Sequence, residues 1–360
     1  MSVHNERVVV FVGSYAEAAA SGVYAYAFDE KEGKLSLLDE VSGLKNPTFL
    51  NVDIPNKRLY AIAEGVSAAG AKIGDAVAFA IDTDKAALTE LNRSEAITAP
   101  ACHIQRDPSN RYLLLSSYHG GRISLVSLTD NGEVGELLDI AQHTGVGQHP
   151  ERQNQPHPHS IQFSPDGRYL FSPDLGIDRI MAYRIDDQAQ KLVFHGETVL
   201  HAGAGPRHMA FHPNGQFAYV INEVDSTVTG FRYDAEAGTL ATLATVPTLP
   251  ADFDGENTCA EIAVSEDGKY VYGSNRGHDS FVVYAINEAD GKLTLAGHVP
   301  IEGEHPRHFA FVPGGQYIIA ANRDTNNLAV FRVDAATGLP VYTGHSVTVS
   351  GPVYVQPVLV

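Results

Sequence analysis

A short phrase recurs along the chain: a tight turn, one basic or amide residue, then an aromatic and aliphatic run. It reads Pro55-Asn56-Lys57-Arg58-Leu59-Tyr60, Asn110-Arg111-Tyr112-Leu113, Asp166-Gly167-Arg168-Tyr169, Asn214-Gly215-Gln216-Phe217, Asp267-Gly268-Lys269-Tyr270 and Gly314-Gly315-Gln316-Tyr317. With Arg7 before Val8-Val9-Val10-Phe11, the residues that open these runs are Arg7, Lys57, Arg111, Arg168, Gln216, Lys269 and Gln316. Their spacing is roughly 47 to 57 residues and averages about 51.5, so 360 residues hold about seven units. A unit of this size must bury its apolar face against the next copy, which restricts the chain to a stacked or ring-like array.

A second series has the same count. Polar hairpin loops begin at Asp29, Asp82, Asp130, Asp186, Asp234, Asn287 and Asp334, each between two β-rich runs. Each unit therefore reads as four antiparallel strands, and helical periodicity is nearly absent. Four-stranded units in radial repetition make an all-β propeller, here of seven blades. The first unit lacks the strand that precedes the turn elsewhere, whereas Gly351 to Val360 is a lone β-rich segment after the last hairpin. That segment is expected to close the first blade, which makes 1–360 one domain.

Charge narrows the function. Lys and Arg total 25 against 43 Asp and Glu, a net charge of −18 that repels phosphate backbones and anionic membranes. No nucleic-acid or membrane partner is expected. Cys102 and Cys259 are the two cysteines, with no CxxC spacing and no secretory leader before Val8, so a reducing cytoplasm fits. The longest apolar runs fall far short of the roughly 18 residues that a spanning helix needs.

The repeat also locates the chemistry. Residues equally far before and after a hairpin turn lie at the same end of the strands. Seven after the opening residue come Ser14, Glu64, Tyr118, Leu175, Glu223, Arg276 and Arg323. Nine before it come Thr48, Cys102, His159, Arg207, Ala260 and Arg307, and eight before it Phe49, His103, Ser160, His208, Glu261 and His308. At roughly 3.3 Å per residue, both sets fall more than 20 Å from the turns, at the opposite mouth of the ring. Arg207, Arg276, Arg307 and Arg323 around one opening suit a small anion, because guanidinium forks match carboxylate or phosphate oxygens. Alternatively each Arg pairs with an acid such as Glu223 or Asp324 in a structural ion-pair ring.

His159 and Glu223, on neighbouring blades, can each take a proton from water and return it to a leaving alkoxide, which suits ester hydrolysis. His143, His149, His157 and His159 could instead hold a metal, although the segment is Pro-rich and irregularly spaced and has only Glu151 as a nearby carboxylate. His103, His208 and His308 are repeat-equivalent and could be packing residues. GxSxG, P-loop and HExxH patterns are missing, which disfavours a serine-hydrolase mechanism. Zero Trp argues against WD-type repeats and tryptophan-floored redox propellers.

These residues resemble the seven-bladed propeller lactonases, the family of bacterial 6-phosphogluconolactonase and fungal carboxymuconate cyclase. The similarity is most specific over Gly203 to Gly215 and Ala218 to Glu223, with His157-Pro158-His159-Ser160 and Ser274-Asn275-Arg276 adding to it. It implies a catalytic quartet of His159, Arg207, Glu223 and Arg276; substrate contacts are expected from Arg307, Arg323, His103, His208, Asn222 and Asn275 at the same mouth. It also implies hydrolysis of a small anionic lactone, 6-phosphogluconolactone, to 6-phosphogluconate in the pentose phosphate pathway, with no metal or cofactor. A carboxymuconate-type cycloisomerase would use the same groups, and a non-catalytic propeller would bind partners on the same mouth. The departure is the long loop from Gln142 to Pro158, which is expected to cover the pocket.

Overall fold

The computed structural model describes residues 6–67, 70–97 and 99–360. Among them are 28 strands and no helix, arranged as seven four-stranded antiparallel sheets. The innermost strands are Pro352–Leu359 of blade 1, Leu50–Asp53 of blade 2, His103–Arg106 of blade 3, Gln162–Phe163 of blade 4, Pro206–Phe211 of blade 5, Thr258–Val264 of blade 6 and Pro306–Phe311 of blade 7.

The chain ends close the ring. Val8–Ser14 pairs antiparallel with Pro352–Leu359, Phe11 opposite Gln356, and Arg7 and Val360 exchange backbone hydrogen bonds of 3.2 and 3.0 Å. Alternation along a strand divides the packing between two neighbours. Val8, Val10 and Val12 pack with Tyr317 and Ile319 of blade 7, whereas Val9 and Phe11 pack with Leu59 and Phe79 of blade 2. Seven such clusters occur, each shared by adjacent blades, so every blade is buried on both faces.

The recurring turns need a left-handed residue, which Gly supplies without steric cost at Gly167 (φ 71°) and Gly215 (φ 69°). In blade 2 that residue is Lys57 itself (φ 53°), yet its carbonyl accepts from Ile81 N–H at 2.9 Å as that of Gln216 accepts from Tyr233 N–H at 2.8 Å, so Lys57 keeps the register of the other openings. The polar hairpins are held locally: Asp234 Oδ1 accepts from the backbone N–H groups of Glu236 and Ala237, both at 3.0 Å, and Asp29, Asp82, Asp186 and Asp334 do the same.

Candidate active site

In blades 5 and 7 the innermost strand carries one extra residue. Pro206 pairs with Asn222 and His208 with Ile221, which leaves Arg207 as a bulge; Arg307 is the bulge between Pro306 and His308. A bulge re-aims a side chain that strict alternation would send into the sheet interface. Consecutive residues Arg207 and His208 therefore both serve the axis.

Those bulged strands help to build two layers. The inner layer takes Phe49, His103, Ser160, His208, Glu261, His308 and Tyr354, one from each blade. Phe49 lies 4.2 Å, ring to ring, from both His103 and Tyr354, and His308 lies 4.4 Å from Tyr354. All seven line a cavity of about 760 Å3 that continues to Pro165 and Pro213 on the turn side. His103 and His208, expected to touch substrate, belong to this layer.

The outer layer, away from the turns, centres on Glu223. Its Oε2 lies 3.0 Å from Arg207 Nε and 2.9 Å from Arg276 Nη2, and its Oε1 accepts from Arg152 Nη2. Arg207 Nη1 also donates to Ala260 O at 2.7 Å, and Arg276 Nη2 to Cys259 O at 2.5 Å. Burial alone would raise the Glu223 carboxyl, but Arg276, Arg207 and Arg152 hold it well below the usual carboxylate range. Burial and its cationic neighbours pull Arg207 down to about 9, so it remains charged at neutral pH. Glu223 is thus a fixed anion and a poor proton acceptor, while Arg207 and Arg276 each face its Oε2 and each give one hydrogen bond to a backbone carbonyl.

His159 is the complementary case. Burial, then the charges of Arg207 and His208, push it well below the ordinary histidine range, so the imidazole is neutral at pH 7. It lines a cavity of about 250 Å3 together with Tyr118, Arg152, Glu223 and Arg307. Arg307 is half-buried, stacks over Tyr15 at 5.7 Å, and has no carboxylate partner among the described residues. Cys102 also lines this cavity, but burial pushes its thiol up to about 11, which removes it as a nucleophile at neutral pH. A second cavity of about 510 Å3, lined by Arg276, His305 and Asp279, shares Arg152 with the first.

The expected quartet is therefore gathered at one mouth, but its members do not all line one cavity. His159 and Glu223 line the smaller, Arg276 lines the larger, and Arg207, 2% exposed, lies beneath both. Arg323 joins neither and pairs with Asp324 at 2.6 Å, as the ion-pair alternative required. Asn222 is fully buried and donates to Thr227 and Thr229, and Asn275 donates to Thr248 O at 3.0 Å, so both tie strand ends together and line neither cavity.

The loop from Gln142 to Pro158 does reach the pocket. Gln153 is fully buried and donates to Leu175 O at 2.8 Å and to Asp178 Oδ1 at 2.6 Å, and His143 Nδ1 sits 2.6 Å from Asp174 Oδ2. His157 stacks on Tyr118 at 4.0 Å. Among the described residues no group of three His, Cys, Asp or Glu is placed to hold a metal ion, because these histidines are engaged by different neighbours. So anchored, the loop delivers Arg152 to Glu223. Sequence counting missed Arg152 because a loop has no strand register to count along, and missed Tyr354 because its strand precedes no turn.

A family model described as lactonase, 7-bladed beta-propeller, matches residues 9–357. The chain belongs to the seven-bladed β-propeller lactonases. It is 34% identical over 308 residues to a 6-phosphogluconolactonase of Bacillus subtilis, covering 85% of this chain and 86% of that one. A 6-phosphogluconolactonase of Formosa agariphila is also 34% identical, over 312 residues, covering 85% of this chain and 87% of the relative. The solved structure of the periplasmic gluconolactonase of Pseudomonas aeruginosa superposes with a TM-score of 0.90 at 30% identity, covering 98% of this chain and 99% of that one. Lactone hydrolysis is accordingly the chemistry that this family member's site has to explain. No helix among its described residues is long and apolar enough to cross a membrane.

Proposed function

We propose that the chain hydrolyses 6-phosphogluconolactone to 6-phosphogluconate, as a cytoplasmic enzyme of the pentose phosphate pathway, with His159 as general base and Arg307 as the phosphate-binding cation. The observation that carries this reading is the pairing, in one cavity of about 250 Å3, of a neutral imidazole with a guanidinium that lacks a carboxylate partner among the described residues. His159 Nε2 takes a proton from water as the oxygen attacks the lactone carbonyl, and returns it to the ring oxygen as the C–O bond breaks. Arg152, Arg207 and Arg276 outnumber Glu223 and favour the oxyanion that forms between these steps. The relatives named 6-phosphogluconolactonase support the substrate, and two free cysteines support a reducing compartment.

Turnover of 6-phosphogluconolactone compared with glucono-δ-lactone tests the reading. A higher kcat/KM for the phosphorylated lactone is expected; equal or lower values would remove the phosphate from the proposal.

A further inference from the structure

Hydrogen bonding continues beneath His159. His159 Nδ1 lies 3.2 Å from His208 Nε2, and His208 Nδ1 lies 3.0 Å from Glu261 Oε2. His308 Nε2 reaches the same carboxylate oxygen at 3.2 Å. All four side chains belong to buried residues on the inner strands, or at the lead-in to one, of blades 4 to 7.

The donors can be assigned from one end. The backbone N–H of Val355 donates to His308 Nδ1 at 3.4 Å, so His308 carries its proton on Nε2, the nitrogen that faces Glu261 Oε2 as a close charge contact. Ile262 N–H donates to Glu261 Oε1 at 3.0 Å. An ionised Glu261 only accepts, so His208 donates from Nδ1 and accepts at Nε2 from His159 Nδ1. His159 Nε2 is then the nitrogen left with a lone pair.

We propose that Glu261 stores the proton that His159 removes from water, receiving it through His208. This rests on His159 acting as base. As the water oxygen bonds to the carbonyl carbon, its O–H bond breaks and the proton joins His159 Nε2. His159 Nδ1 gives its proton to His208 Nε2, and His208 Nδ1 gives its own to Glu261 Oε2. Both imidazoles end neutral in their other tautomers, and Glu261 ends as the neutral acid. Collapse of the tetrahedral intermediate breaks the ring C–O bond, and the reverse shift returns a proton from His159 Nε2 to the alkoxide. No proton is created or lost in the cycle; the product acid ionises into solvent.

The surroundings favour this route over an imidazolium. Burial and the charges of Arg207, Arg307 and Arg276 press both His159 and His208 towards neutrality, so a cation resting on either is disfavoured. Glu261 faces His208 and His308 directly, with Arg207 and Arg307 nearby, and burial pushes its carboxyl upward, towards holding a proton. Neither His208 nor Glu261 lines the 250 Å3 cavity, so both act through His159 and are positioning residues.

The test is the proton inventory of kcat in mixtures of light and heavy water, with 6-phosphogluconolactone as substrate. The unaltered protein is expected to give a curved inventory, because several protons move in one step. Glu261→Gln keeps the shape but cannot take the proton, and should lower kcat about 10- to 100-fold with KM changed less than about twofold and a linear inventory. A linear inventory in the unaltered protein overturns the relay whether or not any variant folds. A Glu261→Gln protein with full kcat and a curved inventory does the same. His159→Gln separates the two claims: full activity there removes the base itself, whereas an inactive His159→Gln beside a negative relay result removes only Glu261.

Discussion

Arg207 Nε stands 3.0 Å from Glu223 Oε2, and the two side chains are 2% and 7% exposed. A buried ion pair of this kind contributes little net stability, because desolvation offsets most of the attraction, but removing one partner strands the other. Glu223 serves Arg152 and Arg276 as well, so it is the counter-ion for three guanidiniums.

Glu223→Gln should therefore unfold more easily, by about 3 to 5 kcal/mol, as expected when a buried charge loses its partner. This differs from the expectation for an isolated catalytic carboxylate, where the isosteric amide would cost activity and little stability. Urea unfolding of the variant checks it, and an unchanged midpoint would mean that the guanidiniums find other partners.

Acid should destabilise the protein well before ordinary carboxylates titrate. His103, His159, His208, His305 and His308 are all pushed below the usual histidine range, burial being the first cause in each, with His305 and His308 near 4. In the unfolded chain they take up protons near pH 6.5, so the unfolded state binds more protons and stability is lost as pH falls from about 6.5 towards 4. Glu223, whose folded value is depressed, adds a loss below about 4.3. Glu261, whose value is raised, acts in the opposite sense but is one group against six. Urea midpoints should fall steadily between about pH 6.5 and 4.5; a flat profile over that range would contradict the neutral assignment of these imidazoles.

Arg307→Lys keeps the charge and loses the planar fork, so KM for 6-phosphogluconolactone should rise about tenfold while KM for glucono-δ-lactone changes little. Equal increases for both lactones would place Arg307 at their common carbonyl oxygen. No change in either would leave it as a partner of Tyr15 alone.

Much of this arrangement could be read from the repeat. Seven openings and seven polar hairpins fixed the blade count, and the orphan strand at Gly351 to Val360 pointed to closure against Val8 to Ser14, because a missing inner strand leaves one partner for it. Counting from the turns brought His159, Arg207, Glu223 and Arg276 to one mouth because strand length is set by the repeat. It could not assign roles. Whether an arginine is free or consumed depends on distances of about 3 Å between blades, so Arg207, Arg276 and Arg307 looked alike in sequence. Arg152 enters from a loop whose path is set by Gln153 and His143, and Glu261 acquires meaning only when His208 and His308 are seen on either side of it.

The most direct test of the reaction scheme is kcat for His159→Gln with 6-phosphogluconolactone, corrected for spontaneous hydrolysis. With His159 as the base, kcat should fall by about 10²-fold or more while KM stays within about twofold. A His159→Gln protein that turns over at the parent rate would contradict the assignment and leave Glu223, despite its three guanidiniums, as the group to explain.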